Sequence, residues 1–259
     1  MSGLIGQDAL DNDARRAARP QRLLEYFDRA FVINLPERTD RRRSVEAELV
    51  RAGLVDPSKV EFFRARTASE LAGFPSLGAH GCFLSHLAIL RQAQREGLRS
   101  VLIIEDDLAI SPLFVEREAQ IVERLCQDDW ALAYLGYGEV GDPLPPSPIG
   151  PYADGLGSAH FYAVRGEYIE KVAHFLEEVL SRPPGDPRGG RMHLDGALYT
   201  YRLQHPQALT LATNPTLGTQ SSSRSDITPN WYDRVPLLRV AAATYRWARR
   251  RFSSRGFES

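Results

Sequence analysis

The stretch SVLIIEDD, Ser100–Asp107, decides the fold. Ser100–Ile104 is strongly apolar and β-branched, with a glycine-containing turn before it and three acids after it. A short apolar run without alternation fits a strand buried on both faces, so a central parallel strand is expected here. In open α/β sheets, ligands bind beyond the carboxyl ends of the strands, which is where Glu105, Asp106 and Asp107 fall. Successive strand residues point to opposite faces, so Glu105 and Asp107 are expected on one side and Asp106 on the other. Three neighbouring anions raise one another's pKa values unless a cation is present. A divalent metal with oxygen ligands resolves that repulsion. Glu105 and Asp107 are then the expected metal pair, and Asp106 is left to a ribose hydroxyl or a backbone amide. The alternative is that these acids cap the helix starting near Ser111 and solvate a strand end.

Outward from this strand the chain alternates strands and helices. Ala30–Asn34 reads as a buried strand stopped by Asn-Leu-Pro, and Asp40–Ala52 as a surface helix ended by Gly53. Val60–Phe63 is a second strand. Gly81–Gly97 is a helix whose stripe Cys82, His86, Ile89, Ala93 follows the spacing of one face. Leu113–Cys126 reads as helix, Ala131–Leu135 as strand, Gly136–Gly157 as a long Gly/Pro loop, and Ala159–Val164 as strand. Glu167–Leu180 and Leu194–Leu203 are helices around a Pro/Gly/Arg loop at Ser181–Gly190. Ala208–Ala212 is a late strand, and Thr213–Asn230 a polar loop. The alternation predicts an α/β fold with a mostly parallel sheet flanked by helices. Three segments are expected: a lead-in over residues 1–29 with a helix at Arg15–Arg29, a domain over 30–230, and a basic amphipathic helix within 231–259.

Composition excludes several classes. The 259 residues are 43% hydrophobic and 25% charged, the usage of a globular protein rather than of a collagenous, disordered or coiled-coil chain. Two cysteines, Cys82 and Cys126, make no multi-bridge framework. No apolar run approaches the ~18 residues of a membrane span, and the first residues lack the apolar core of a signal peptide. A cytoplasmic setting is the expectation. Net charge is −1, unlike a dedicated nucleic-acid binder. Charge is uneven, however: residues 234–259 hold seven arginines and one acid, which is +6 against −7 for the rest. Such a segment suggests an anionic partner, either a membrane surface approached from the inner leaflet or none beyond solvent.

Two further stretches accompany the acid triplet. FVINLPERTDRR, from Phe31, places Arg38, Arg41, Arg42 and Arg43 after a strand and a turn. Arginine forks suit diphosphate oxygens, although Arg43 belongs on a solvated helix face. GCFLSHLAIL places Ser85 and His86 in the first turns of the expected helix, where anions and hydroxyl-rich ligands are welcome. A buried, satisfied core histidine is the competing account of His86.

The combination INLPERTDRR, GCFLSHLAIL and SVLIIEDD resembles glycosyltransferase family 25, the lipooligosaccharide-type sugar transferases related to collagen galactosyltransferases. YLGYG, GSAHFYAV, HLDGALY and GTQSSSRSDI follow in the family's order, so the resemblance runs from about Phe31 to Ile227. It implies a GT-A-like (Rossmann-like) fold and an inverting transferase. The implied donor is a UDP-sugar, with galactose or glucose first choice, and the implied cofactor a divalent metal, Mn²⁺ first. The implied acceptor is a saccharide or glycolipid in surface polysaccharide synthesis. The family's opening motif maps onto Asn34, Leu35, Arg38, Asp40 and Arg42, by the nucleotide. The Cys-x-x-Ser-His piece maps onto Cys82, Ser85 and His86, and the acidic metal motif onto Glu105, Asp106 and Asp107. Asp195, in HLDGA at a helix start, matches the late acidic motif and is the expected catalytic base. The other account of Asp195 is a helix N-terminal acid favoured by the macrodipole. His193, His205 and Gln220 are candidates to complete the metal shell; His160 is expected to be structural. Two other functions remain open. A metal-dependent hydrolase calls for histidines paired at i, i+4, which are absent. A sugar-nucleotide-binding module without turnover is the second.

Overall fold

The apolar runs read from the sequence do become strands. The computed structural model describes residues 20–221 apart from 139 and 142. In chain order its elements are α1 (Leu23–Tyr26), β1 (Arg29–Asn34), α2 (Thr39–Ala52), β2 (Val60–Arg64), α3 (Leu77–Arg95), β3 (Ser100–Glu105), β4 (Leu108–Ile110) and α4 (Leu113–Gln127). They continue with β5 (Leu132–Gly136), β6 (Ile149–Pro151), β7 (Phe161–Arg165), α5 (Tyr168–Ser181), α6 (Leu194–Gln204), β8 (Thr210–Thr213) and β9 (Gly218–Gln220). Seven strands form one sheet in the order β2-β1-β3-β7-β5-β8-β6, and β4 pairs with β9 in a second. β1 is parallel to β2 and β3, and β5 to β8, whereas β7 and β6 run against their neighbours. Five of the seven strands thus share a direction, the mostly parallel α/β class that was expected. One detail differs: β3 has a parallel neighbour on one side only, because β7 inserts antiparallel on the other.

Strand alternation sorts the core onto the two faces of the sheet. Phe31, Val101 and Ile103 pack with Phe83 and Ile89 of α3, Val172 and Leu176 of α5 and Leu198 of α6. Ala30, Val32, Leu102 and Ile104 pack with Leu23 of α1, Val45 and Leu49 of α2 and Ile121 of α4. Each buried Val, Leu, Ile or Phe among them contributes about 1.5–3 kcal/mol relative to exposure. The segment expected as a lead-in is part of this second layer from Pro20 onward. Leu23 and Phe27 are buried in it, and the Leu23 N–H donates to Glu118 Oε1 at 2.8 Å. The remainder of the lead-in and the basic helix over Val235–Phe252 lie outside the described residues.

α3 begins at Leu77, four residues before the expected start. Ser76 caps it, its side chain accepting from the Ala79 N–H at 3.0 Å. Gly81 is not a breaker: a Cβ there would stand 2.5 Å from the Arg66 carbonyl oxygen, so glycine permits the chain after β2 to lie against the helix. Ser85 and His86 therefore sit in the third turn, beyond the reach of the helix N-terminus. The loops also hold more structure than expected. Gly136–Gly157 contains β6, and Thr213–Asn230 contains β9, which pairs with β4 directly beyond the acid triplet. Among the described residues no helix is long and apolar enough to cross a membrane.

Candidate active site

β3 ends at Glu105, and Asp106–Asp107 form the turn into β4, so the expected alternation of the three acids stops at the first. Glu105 faces α3. Its Oε1 lies 3.3 Å from His86 Nε2 and 3.7 Å from Cys82 Sγ, and its Oε2 accepts from Gln220 Nε2 at 3.3 Å. Asp106 faces β1 and α2. It accepts from Asn34 Nδ2 at 2.7 Å and from Arg41 Nη1 at 3.1 Å. Asp107 Oδ2 stands 3.8 Å from the same guanidinium, while its buried Oδ1 has no hydrogen-bond partner. Ser221 N–H donates to the Asp107 carbonyl at 2.7 Å and ties the end of β9 to the turn.

Each acid therefore has its own electrostatic setting. Burial pushes the Glu105 carboxyl up, but the hydrogen bond and charge of His86 bring it on balance below its usual value. Burial raises Asp106 against the pull of Asn34 and Arg41. Asp107 rises furthest, to about 7, first through burial and then through the charge of Glu105. An unpartnered buried oxygen on a carboxyl held up by its acidic neighbours fits a cation ligand, since an oxygen-ligated divalent ion satisfies the oxygen and removes the repulsion.

His86 is fully buried, with both ring nitrogens engaged: Nδ1 lies 2.9 Å from the Tyr162 hydroxyl and Nε2 faces Glu105. His86 is thus a buried, satisfied histidine that also contacts the first acid of the triplet. Asp195 stands in the first turn of α6. Its Oδ2 accepts from the Ser158 N–H at 3.1 Å and its Oδ1 from the Gly196 N–H at 2.9 Å. Ser158 adopts the left-handed conformation, φ 59°, which is rare for a non-glycine residue and a mark of functional sites. Its hydroxyl donates to Gln220 Oε1 at 3.4 Å, and Gln220 reaches Glu105, so one chain of polar contacts joins Asp195 to the triplet. Burial and then the charges of Glu105, Asp195 and Asp107 all raise the Cys82 thiol.

The other expected residues divide. Asn34 reaches the triplet. Leu35 O accepts from the Arg38 N–H at 2.8 Å in the turn after β1. Arg38 pairs with Asp40 at 2.9 Å, and Arg42 with Glu46 at 2.9 Å while lying 4.1 Å over the Phe62 ring. Ser85 is not presented to a ligand: its hydroxyl donates to Gly81 O and accepts from the Arg66 N–H, holding the chain after β2. Of the residues considered for the metal shell, Gln220 reaches Glu105, whereas His205 stacks 4.3 Å from Tyr201 and hydrogen-bonds its carbonyl. His193 is the N-cap of α6. His160 is buried, with Nε2 3.0 Å from Gly218 O, in the structural place expected. Arg41, grouped in the sequence with the arginines suited to diphosphate oxygens, instead pairs with the acid triplet. The spacing Arg41, Val45, Leu49 puts it on the inward stripe of α2, and that alone marks it among the four arginines of the segment.

Comparison with known proteins finds relatives over the same part of the chain. The sequence model of "Glycosyltransferase family 25 (LPS biosynthesis protein)" matches residues 27–138. Procollagen galactosyltransferase 2 of Homo sapiens is 25% identical over 201 residues, covering 70% of this chain and 31% of the relative. Procollagen galactosyltransferase 1 of Danio rerio is 33% identical over 129 residues, 42% of this chain and 21% of that one. Inactive glycosyltransferase 25 family member 3 of Homo sapiens is 30% identical over 156 residues, 49% of this chain and 24% of that one. The chain spans less than a third of the length of these relatives. Residues 27–138, the span that matches the glycosyltransferase family 25 model, hold β1, the arginine turn, the Cys82–His86 face and the acid triplet.

Proposed function

We propose that the protein is a glycosyltransferase that moves a hexose, galactose or glucose, from a UDP-sugar to a saccharide acceptor with inversion, in surface polysaccharide or lipooligosaccharide synthesis. The observation that carries this reading is the acid triplet at the end of β3. It combines an unpartnered Asp107 oxygen with a further carboxylate, Asp195, held by the Ser158 N–H and linked through Ser158 and Gln220 to Glu105. In this reading Glu105 and Asp107 hold a divalent ion, Mn²⁺ first, which when bound neutralises the leaving diphosphate. Asn34 and Arg41 hold Asp106 toward the nucleotide side. Asp195 takes the proton of the acceptor hydroxyl as its oxygen bonds to the sugar C1 and the C1–diphosphate bond breaks. The Ser158 and Gly196 N–H groups fix the Asp195 carboxylate for that step. The basic segment from Arg234 holds the enzyme at an anionic membrane surface, near a lipid-linked acceptor.

A donor screen by nucleotide release, with and without Mn²⁺, tests this. UDP-galactose or UDP-glucose is expected to turn over, and a chelator to stop it. Full activity in chelator overturns the metal role, and a preference for GDP or CMP in calorimetry overturns the donor. A second reading, a sugar-nucleotide-binding module without turnover, draws support from the similarity to a relative named inactive. Tight UDP binding with no nucleotide release toward any acceptor is its signature.

A further inference from the structure

We propose that Cys82, His86 and Glu105 form a three-ligand site for a thiophilic divalent cation of the zinc class, separate in chemistry from the oxygen-ligated ion assigned to Glu105 and Asp107. The ligand atoms Cys82 Sγ, a ring nitrogen of His86 and a carboxylate oxygen of Glu105 all lie within 4.8 Å of one another. Cys82 and His86 are four residues apart on α3, so both side chains leave the same face of the helix toward the end of β3.

The contacts that serve as hydrogen bonds in the metal-free protein also match the edges of a coordination shell. His86 Nε2 to Glu105 Oε1 is 3.3 Å and Cys82 Sγ to the same oxygen 3.7 Å. The first is longer than the ~2.9–3.0 Å of an ordinary N–H···O bond. Zinc bonds of about 2.0 Å to nitrogen and oxygen and 2.3 Å to sulfur, at tetrahedral angles, give ligand edges of roughly 3.3 Å for N···O and 3.5 Å for S···O. The cluster needs only a small closing movement to reach that geometry.

Its surroundings have the features of a metal site. The His86 ring is held by the Tyr162 hydroxyl at Nδ1, 2.9 Å away, and stacks on the Tyr162 ring at 5.7 Å. When Nδ1 carries the proton and donates it to that hydroxyl, Nε2 presents a lone pair toward Glu105, as histidine ligands do when an outer partner fixes the tautomer. Gln220 reaches the other Glu105 oxygen at 3.3 Å, leaving Oε1 to the cluster. A mixed sulfur, nitrogen and oxygen set with three protein ligands selects zinc over manganese and leaves a fourth position for water or a ligand oxygen. Cys82 is a thiol in the metal-free protein, so its proton is released as the cation binds. The site goes beyond the proposed transferase activity and is read by binding alone. Because Glu105 belongs to both sets, a zinc-class ion here withdraws it from the oxygen-ligated one.

Titrating the metal-free full-length chain with Cd²⁺, followed by the ultraviolet thiolate-to-cadmium charge-transfer band, tests the site. One equivalent is expected to develop the band in wild type and in Cys126→Ser. Cys82→Ser is expected to lose the band and to bind Zn²⁺ at least about tenfold more weakly by calorimetry. A band that persists in Cys82→Ser, or that disappears with Cys126→Ser, overturns the proposal. If Cys82→Ser does not fold, alkylation of wild type mapped by mass spectrometry decides. Zn²⁺ is expected to protect Cys82 against iodoacetamide at concentrations where Mn²⁺ does not, and equal labelling in the two metals overturns the site.

Discussion

Replacing Arg41 with alanine measures how the acid triplet is held. Arg41 Nη1 lies 3.1 Å from Asp106 Oδ1 and 3.8 Å from Asp107 Oδ2, and the three side chains are 8%, 9% and 8% exposed. Removing one partner of a buried ion pair costs about 3–5 kcal/mol, because the other charge stays buried without compensation. Asp106 keeps its 2.7 Å bond from Asn34, so the low end, about 3 kcal/mol, is expected for Arg41→Ala in metal-free protein at pH 8. The pH dependence has a definite sign. Asp106 and Asp107 already titrate above their ordinary values, Asp107 at about 7, and losing Arg41 raises both further. An acid whose folded pKa is raised destabilises the fold only when it is ionised. The Arg41→Ala penalty therefore grows as pH rises through 7 and shrinks toward pH 4. Urea unfolding of wild type, Arg41→Ala, Asp106→Asn and the double variant supplies the cycle, with an expected coupling of at least ~1 kcal/mol. A loss below about 1 kcal/mol at pH 8, a loss that grows in acid, or an equal loss in the Asp106→Asn background refutes the electrostatic account.

Asp195→Asn is expected to abolish nucleotide release driven by acceptor while UDP affinity by calorimetry stays within a fewfold; retained turnover removes Asp195 as the base. Mn²⁺ is expected to raise the unfolding temperature more at pH 8 than at pH 6, because Asp107 must lose a proton held up to about pH 7, and Asp107→Asn is expected to flatten that dependence. Equal shifts at the two pH values argue against Asp107 as a ligand. Ser158→Gly relieves a φ of 59° and deletes the hydroxyl that reaches Gln220, so stability is expected to hold or rise by about 0.5 kcal/mol while kcat falls. A stability loss above about 1 kcal/mol contradicts that assignment. The full chain is expected to sediment with anionic liposomes in low salt and to lose this on deletion of residues 234–259; binding indifferent to salt or to the deletion counts against the membrane role.

The parts of the fold legible in the sequence are those that bury long apolar runs. SVLII and AFVIN announce β3 and β1 because a strand covered on both faces needs no alternation. β4, β6 and β9 are three residues each, too short to carry a period, and are defined by their partners. The start of α3 was hidden by Gly81, which looks like a breaker locally and is a packing residue in three dimensions. Within the site, Asn34 and Asp106 were read as neighbours of one ligand and prove to be bonded to each other. Arg41 was within reach of the helical period, but its arginine neighbours drew attention to charge instead of position. Ser158 was beyond reach, since no residue type announces a left-handed serine and the contact it makes lies across the chain at Gln220.

The acid triplet divides one problem among three solutions, and that division explains why one strand end can serve chemistry without unfolding itself. Glu105 faces an imidazole at 3.3 Å and an amide at 3.3 Å, long contacts that a cation can displace, and Asp106 is bound by a guanidinium and an amide at shorter distances. Asp107 shares the guanidinium at a longer distance and keeps an oxygen with no partner. A fully compensated triplet has nothing left to offer a cation, and an uncompensated one costs too much to bury. Compensating two acids and leaving the third short concentrates the unmet demand on a single buried oxygen. In the proposed reading, binding free energy for a divalent ion would come in part from meeting that demand. Removing the orphan by Asp107→Asn is accordingly expected to weaken Mn²⁺ without costing stability, whereas removing Arg41 costs stability first.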